Sequence, residues 1–155
     1  MSKTSSHHNK TLATNRTAQR KYQRLECYEA GIKLLGSEVK SIKHGRASIE
    51  GAYVVVRGGE AFVTEMSVPA WQPQNPSSAH EVDRPRKLLL TQKKLAELEL
   101  YDQKKGFAII LFSLYNKRGL IKADICVAKN KTTRDKRQEI KRRDTERDLR
   151  RSLKN

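Results

Sequence analysis

The 155-residue sequence predicts a mainly β domain, a small antiparallel barrel with a few peripheral helices, and three observations carry that expectation. Short runs rich in β-branched and aromatic residues recur between turn signals, and Gly58-Gly59 and Asn116-Lys117-Arg118-Gly119 each separate two of them. Ile121, Ala123, Ile125 and Val127 alternate with Lys122, Asp124 and Cys126, a period of two that turns the first set toward a core. The apolar residues concentrate in a body of about one hundred residues, enough for one core. Six or so strands in so small a body are best accommodated by a closed or nearly closed sheet, because closure removes unpaired edges.

The elements follow in order. Residues 1–14, with His7 and His8 among Ser, Lys and Asn, read as a disordered and solvated arm. Asn15 caps a short helix that runs through Arg16 and Arg20 toward Tyr22, since its side chain accepts from first-turn amides. Residues 25–35 form a strand in which Gly31 predicts a bulge or bend. Residues 36–45 form a helix capped by Ser37, with Val39 and Ile42 on one face and Gly45 as its stop. Residues 52–57 and 60–64 flank Gly58-Gly59 as a hairpin. Pro69, Pro73, Pro76 and Pro85 make 69–85 a loop. Residues 86–90 form a short strand, and Thr91 caps a helix to about Lys104 with Leu95, Leu98 and Tyr101 on one face. Residues 107–115 and 120–128 form the second hairpin, so the domain spans 15–128 and the tail 129–155.

Charge points to the partner. The net charge is +16, and it gathers at the ends. Residues 1–24 carry six bases and no acid, and residues 129–155 carry twelve bases against five acids. Basic arms on a compact body favour nucleic acid, because each neutralised phosphate releases condensed counterions. The tail has no aromatic residue, glycine or proline, and Ile140, Leu149 and Leu153 supply its apolar bulk. That is too little to fold alone, so the tail is expected to be disordered, or helical once bound. Glu139 with Arg143 and Glu146 with Arg150 already sit at the helix-favouring i, i+4 spacing. A membrane partner is disfavoured: the tail lacks a broad apolar face, and the apolar run 107–112 has the length of a buried strand.

Catalytic signatures are missing. The chain has no GxSxG, GxxxxGK[ST], HExxH or GxGxxG pattern, and His44 and His80 stand without accompanying motifs. No catalytic residue, metal or cofactor is predicted. Cys27 and Cys126 lie far apart without a CxxC pattern and are expected to be small core thiols in a reducing cytoplasm. Aromatic residues make up 6% of the chain, too few for a base-stacking sheet, so recognition should rest on phosphates and RNA shape. Tyr22 either stacks on a base or anchors a helix end. Arg86-Lys87 is either a phosphate clamp or a charged strand start, and Trp71 either docks its loop or meets a partner.

These stretches coincide with a known pattern. Asn15-Arg16 with Ala18 and Tyr22, Tyr28-Glu29-Ala30-Gly31-Ile32, Gly36-Ser37-Glu38-Val39-Lys40-Ser41 and Gly45-Arg46-Ala47 occur in order. Arg86-Lys87-Leu88-Leu89-Leu90, Leu114-Tyr115, Ala128-Lys129 and Asp135-Lys136-Arg137 continue it. The chain resembles the SsrA-binding (small protein B) family over roughly residues 15–140. The resemblance implies an OB-like, six-stranded antiparallel barrel and binding to the tRNA-like domain of transfer-messenger RNA, where the protein stands in for an anticodon arm. It further implies delivery to stalled ribosomes, peptide tagging, and a tail that senses an empty message channel near the decoding centre. A cytoplasmic, monomeric protein is expected.

By the resemblance, Glu29, Leu89 and Lys122 fall on RNA-contacting positions, and Arg20, Tyr22, Lys40, Lys129 and Lys131 complete the candidate RNA-binding set. Asp135, Lys136, Arg137, Ile140, Arg142 and Arg143 form the candidate tail segment for the message channel. Two departures stand out. The family commonly has His where this chain has Arg20, which keeps a planar cation but does not titrate near neutral pH. It favours Gly where this chain has Asn130, a residue that tolerates positive φ better than most.

Overall fold

The computed structural model describes residues 10–72 and 81–154, except for the side chains of Thr133 and Asp135. Along the chain run β1 (Lys10–Thr14), α1 (Arg16–Lys21), β2 (Tyr22–Ile32), α2 (Gly36–Lys43), β3 (Tyr53–Arg57) and β4 (Glu60–Thr64). They are followed by β5 (Arg86–Leu89), α3 (Gln92–Gln103), β6 (Ala108–Lys117), β7 (Leu120–Asn130) and α4 (Thr133–Lys154). The seven strands make one antiparallel sheet in the order β1-β6-β3-β4-β5-β2-β7, and β6 also pairs with β7. Strands β2 to β7 therefore close a ring of pairings in which each has two neighbours, and β6 takes a third, β1, which pairs with it alone.

The seventh strand corrects the expectation of six. Lys10–Thr14 falls in the segment expected to be a disordered arm; residues 1–9 lie outside the described ones. Its backbone pairs with Ser113 to Asn116 of β6, and Leu12 and Ala13 pack on the core. Five residues starting Lys-Thr show no clear alternation, so tertiary pairing rather than local pattern decides their structure. β7 likewise runs two residues past the expected boundary at 128, because Tyr22 pairs Asn130.

The main core gathers Ile42, Val54, Val63, Leu88, Leu98 and Leu111 with the inward face of β7, where Ile121, Ala123, Ile125 and Val127 are all buried. A second, smaller cluster lies on the opposite face, where Ala18 of α1 covers Ile110, Phe112, Cys126 and Ala128. Burial on both faces explains why 107–112 is apolar throughout.

Local chemistry sets several elements as predicted. Asn15 Oδ1 accepts from the Ala18 amide at 3.0 Å, while its Nδ2 donates to the Leu111 carbonyl at 3.1 Å. Thr91 Oγ1 accepts from the Lys94 amide at the start of α3. Gly58 and Gly59 both take positive φ, 59° and 75°, as the β3–β4 turn requires.

Other expectations are corrected. The bulge in β2 falls between Arg24 and Glu26, not at Gly31. Gly31 instead sits between two strands, opposite Leu89 on one side and Lys122 on the other. A Cβ there would meet the Leu89 Cβ at 3.2 Å, so glycine permits the close approach. The cap of α2 is not Ser37: the helix begins at Gly36, and the Glu38 carboxylate accepts from the Leu35 amide at 2.8 Å.

Cys27 and Cys126 are not free thiols. They face each other across β2 and β7, with Cα atoms 4.0 Å apart, and form a disulfide. Their sequence separation of 99 concealed a direct register that only the strand pairing makes. Arg86 is also redirected, for it is fully buried and cannot clamp a phosphate. Its Nε donates to Glu38 at 2.5 Å, and its Nη atoms donate to the Met66, Arg84 and Val82 carbonyls at 2.6, 3.0 and 2.9 Å. Burial pushes the Glu38 carboxyl up, but the Leu35 amide and the Arg84 and Arg86 guanidiniums outweigh it and hold it below the usual range. Burial also draws the Arg86 guanidinium down from its ordinary value, yet a group starting so high stays protonated.

Candidate nucleic-acid interface

Successive cross-strand pairs on β2 and β7 bring Gly31 opposite Lys122, Glu29 opposite Asp124 and Cys27 opposite Cys126. β5 lies on the other side of β2, so Leu89 joins the same row through Gly31. Glu29, Leu89 and Lys122 thus line one open concavity of about 560 Å³, together with Glu60 and Lys87. Leu89 is 55% exposed at its floor, an apolar side chain presented to solvent among charges.

Glu29 is held in place from β6. Its carboxylate accepts from the Tyr115 hydroxyl and from Lys117 Nζ at 3.2 Å. The Tyr115 hydrogen bond, with help from Lys117 and Lys122 and against some burial, keeps the carboxyl below its ordinary pKa. Burial and the same bond push the Tyr115 phenol up, so the tyrosine remains the donor. Lys87 pairs with Glu60 at 2.7 Å. Lys122 makes no ion pair among the described residues and stays half-buried at the rim. The face therefore offers an oriented acceptor, an apolar contact and an available cation within one hollow, a combination suited to a sugar-phosphate backbone.

A second basic face surrounds α1. The Glu50 carboxylate accepts from the Arg16 and Thr17 amides at 3.2 and 3.3 Å, adding to the Asn15 cap. Arg20 and Lys21 are exposed on its last turn. A groove of about 400 Å³ separates α1 from the start of α4, lined by Thr17, Arg20, Lys136, Ile140 and Arg143. Ile140 is 58% exposed along this groove. α4 is helical for 22 residues, and its described side chains are exposed except for half-buried Glu139.

The family model described as SmpB protein matches residues 12–155. The chain belongs to the SmpB family. It is similar to the SsrA-binding protein of Coprothermobacter proteolyticus, 46% identical over 143 residues, which cover 92% of this chain and 95% of that one. The SsrA-binding protein of Clostridium tetani is 42% identical over 146 residues, covering 94% and 93%. Among solved structures, a chain of the work described as "tmRNA-SmpB: a journey to the center of the bacterial ribosome" aligns with TM-score 0.64 and 29% identity. The alignment covers 82% of this chain and 92% of that one.

Set against the residues expected of an SmpB family member, Glu29, Leu89 and Lys122 come together in one hollow, and Arg20, Lys136, Ile140 and Arg143 in another. Arg142 lines a neighbouring hollow with Gln23 and Gln138, and Arg137 is exposed on α4. The Asp135 side chain lies outside the described residues. Tyr22 packs half-buried against the small cluster under α1, with Lys21 Nζ 5.5 Å from its ring, which favours the anchor over the base stack. Lys40 is exposed on α2 and lines neither hollow. Lys129 Nζ lies 4.5 Å over the Phe107 ring. Lys131 turns inward: its side chain is only 7% exposed and its ammonium is engaged within the chain.

Sequence reasoning missed Tyr115 and Lys117, which hold Glu29. The signal was available, since both alternate onto one face of a strand beside Lys122. It also missed a stack after α2, where the His44 ring lies 4.2 Å from that of Trp71 and the Arg46 guanidinium 4.6 Å above it. Cys27, Asp124 and Cys126 bring ligand-type atoms within 4.8 Å of one another, but the sulfurs are bonded to each other and Asp124 faces Arg24 at 3.6 Å.

Proposed function

We propose that this chain is a non-enzymatic RNA-binding adaptor that grips the tRNA-like domain of transfer-messenger RNA and delivers it to stalled ribosomes for trans-translation. The observation carrying this reading is the convergence of Glu29, Leu89 and Lys122 around Gly31, within a chain matched to the SmpB family over residues 12–155. Lys122 would neutralise a phosphate, the ionised and fixed Glu29 would accept from sugar or base donors, and Leu89 would pack on a sugar or base face. On the ribosome, Arg20 and the outer turns of α4 would meet small-subunit RNA near the decoding centre and in the message channel. A helix with cations around much of its surface and little apolar area suits an RNA-walled channel. The body then acts as an OB-like barrel of strands β2–β7, a reading supported by their ring of pairings, with β1 added at its edge. The working unit is taken as a cytoplasmic monomer in which α4 is the ribosome-directed tail.

The test is comparative binding. The tRNA-like domain should bind the full chain at least tenfold more tightly than ordinary tRNA or ribosomal RNA at fixed salt, measured by filter binding. Equal affinity for all three would overturn the adaptor in favour of a general RNA-binding or assembly protein.

A further inference from the structure

Among the tail's bases, Lys131 is used differently. It stands one residue beyond β7 and two before α4, in the link that joins body to tail. Its amide donates to the Lys21 carbonyl at 2.9 Å, fixing the backbone against the end of α1. Its Nζ donates to the Gln19 carbonyl at 3.1 Å and also to the Glu139 carboxylate. Gln19 lies in the last turn of α1, where carbonyls have no partner within the helix, so the ammonium satisfies an otherwise orphaned acceptor. Glu139 lies on α4 itself, so one side chain spans both helices.

We infer that Lys131 and Glu139 form a latch that sets the heading of α4 relative to the body, making Lys131 a positioning residue for the tail rather than a phosphate contact. The functional part rests on the adaptor reading above; the latch itself does not. The link outside regular structure is only Lys131 and Thr132, so small changes there are magnified along the helix. Twenty-two residues at ~1.5 Å each give a lever of roughly 33 Å, and a swing of about 20° at its root displaces the tip by roughly 11 Å. That displacement is comparable to the width of a helix, enough to miss a channel that admits one. The same clasp brings Lys136, Ile140 and Arg143 beside Thr17 and Arg20, so it also shapes the groove on α1. The hydrogen bond from Lys131 holds the Glu139 carboxyl below its usual pKa, which favours the ionised carboxylate as the acceptor.

The latch is tested by amide hydrogen exchange on the full-length chain without RNA. In the parent, amides 136–143 should exchange at least tenfold more slowly than those of 147–153. Lys131→Ala and Lys131→Glu should erase that difference while leaving β6 and β7 amides unchanged, and Lys131→Glu combined with Glu139→Lys should restore at least half of it. A parent with no protection at 136–143, or a Lys131→Ala variant that keeps it, overturns the latch. In a second arm, Lys131→Ala should leave affinity for the tRNA-like domain within twofold and its salt slope unchanged while lowering tagging at least tenfold. A reduced salt slope would return Lys131 to the phosphate contacts. A parent chain that protects 136–143 but neither binds the RNA selectively nor tags would overturn the adaptor and leave the latch standing.

Discussion

The body and α4 use charge in opposite ways. In the body, acids are matched with bases: Glu38 and Arg86 are paired and fully buried, and Glu29, Glu60 and Asp124 each face a Lys or Arg nearer the surface. Along α4 the described Lys and Arg side chains are exposed. At the junction, Lys131 and Glu139 make one pair that ties the two regions together. The contrast separates two physical roles. A charge enclosed with its partner fixes where backbone segments sit, because unpairing it there is costly. A charge left in solvent contributes little to the fold and remains free to meet a polyanion. A basic count alone therefore overstates the binding surface, since Arg86 is fully buried with Glu38.

Three perturbations press on this contrast. The largest effect should come from removing the exposed region. Ending the chain after Lys131 should abolish tagging on stalled ribosomes yet leave affinity for the tRNA-like domain within about threefold and the body folded. Tagging by the shortened chain would show that the two regions are not divided in labour. Such a cut keeps the Tyr22–Asn130 pair, which one after Ala128 would lose.

Next is the enclosed charge. Arg86→Ala should cost about 3 kcal/mol in urea unfolding, since it removes the fully buried partner of the Glu38 carboxylate and leaves it only Arg84 and the Leu35 amide. Because the folded pKa of Glu38 is depressed, its contribution is complete above the ordinary carboxylate range and disappears as pH falls through the folded value. The parent should therefore lose stability on acidification through that window, and Arg86→Ala should lose less. A loss under 1 kcal/mol at neutral pH would mean the pair does not organise the fold.

The smallest effect should be at the hollow. Lys122→Ala should weaken RNA binding by roughly 1 kcal/mol and reduce the salt slope by about 1, with unchanged urea midpoint. An unaltered slope would remove Lys122 from the phosphate contacts.

What could be read from the sequence was what short stretches decide. Asn15 and Thr91 capped their helices, Gly58-Gly59 made its turn, and alternation placed the inward residues of β7 correctly, because each depends on neighbours within a few residues. Failures came where distant segments meet. β1 exists because β6 offers an edge, Arg86 is buried because Glu38 and three carbonyls surround it, and the cysteines pair because β2 lies beside β7. The same division applies to the site. Glu29, Leu89 and Lys122 were named from a family pattern, but their union around Gly31 belongs to the sheet.

The bridge between Cys27 and Cys126 also has a topological consequence. It encloses residues 27–126 in a covalent circle that holds β3 to β6 and the proline-rich segment, and leaves α1 and α4 as two free ends outside. A protease that cuts within the circle opens a ring without releasing a fragment, whereas one that cuts α4 sheds a piece at once. While the bridge stands, the hollow that holds Glu29, Leu89 and Lys122 survives a nick in one piece, whereas the tail is lost at a single cut.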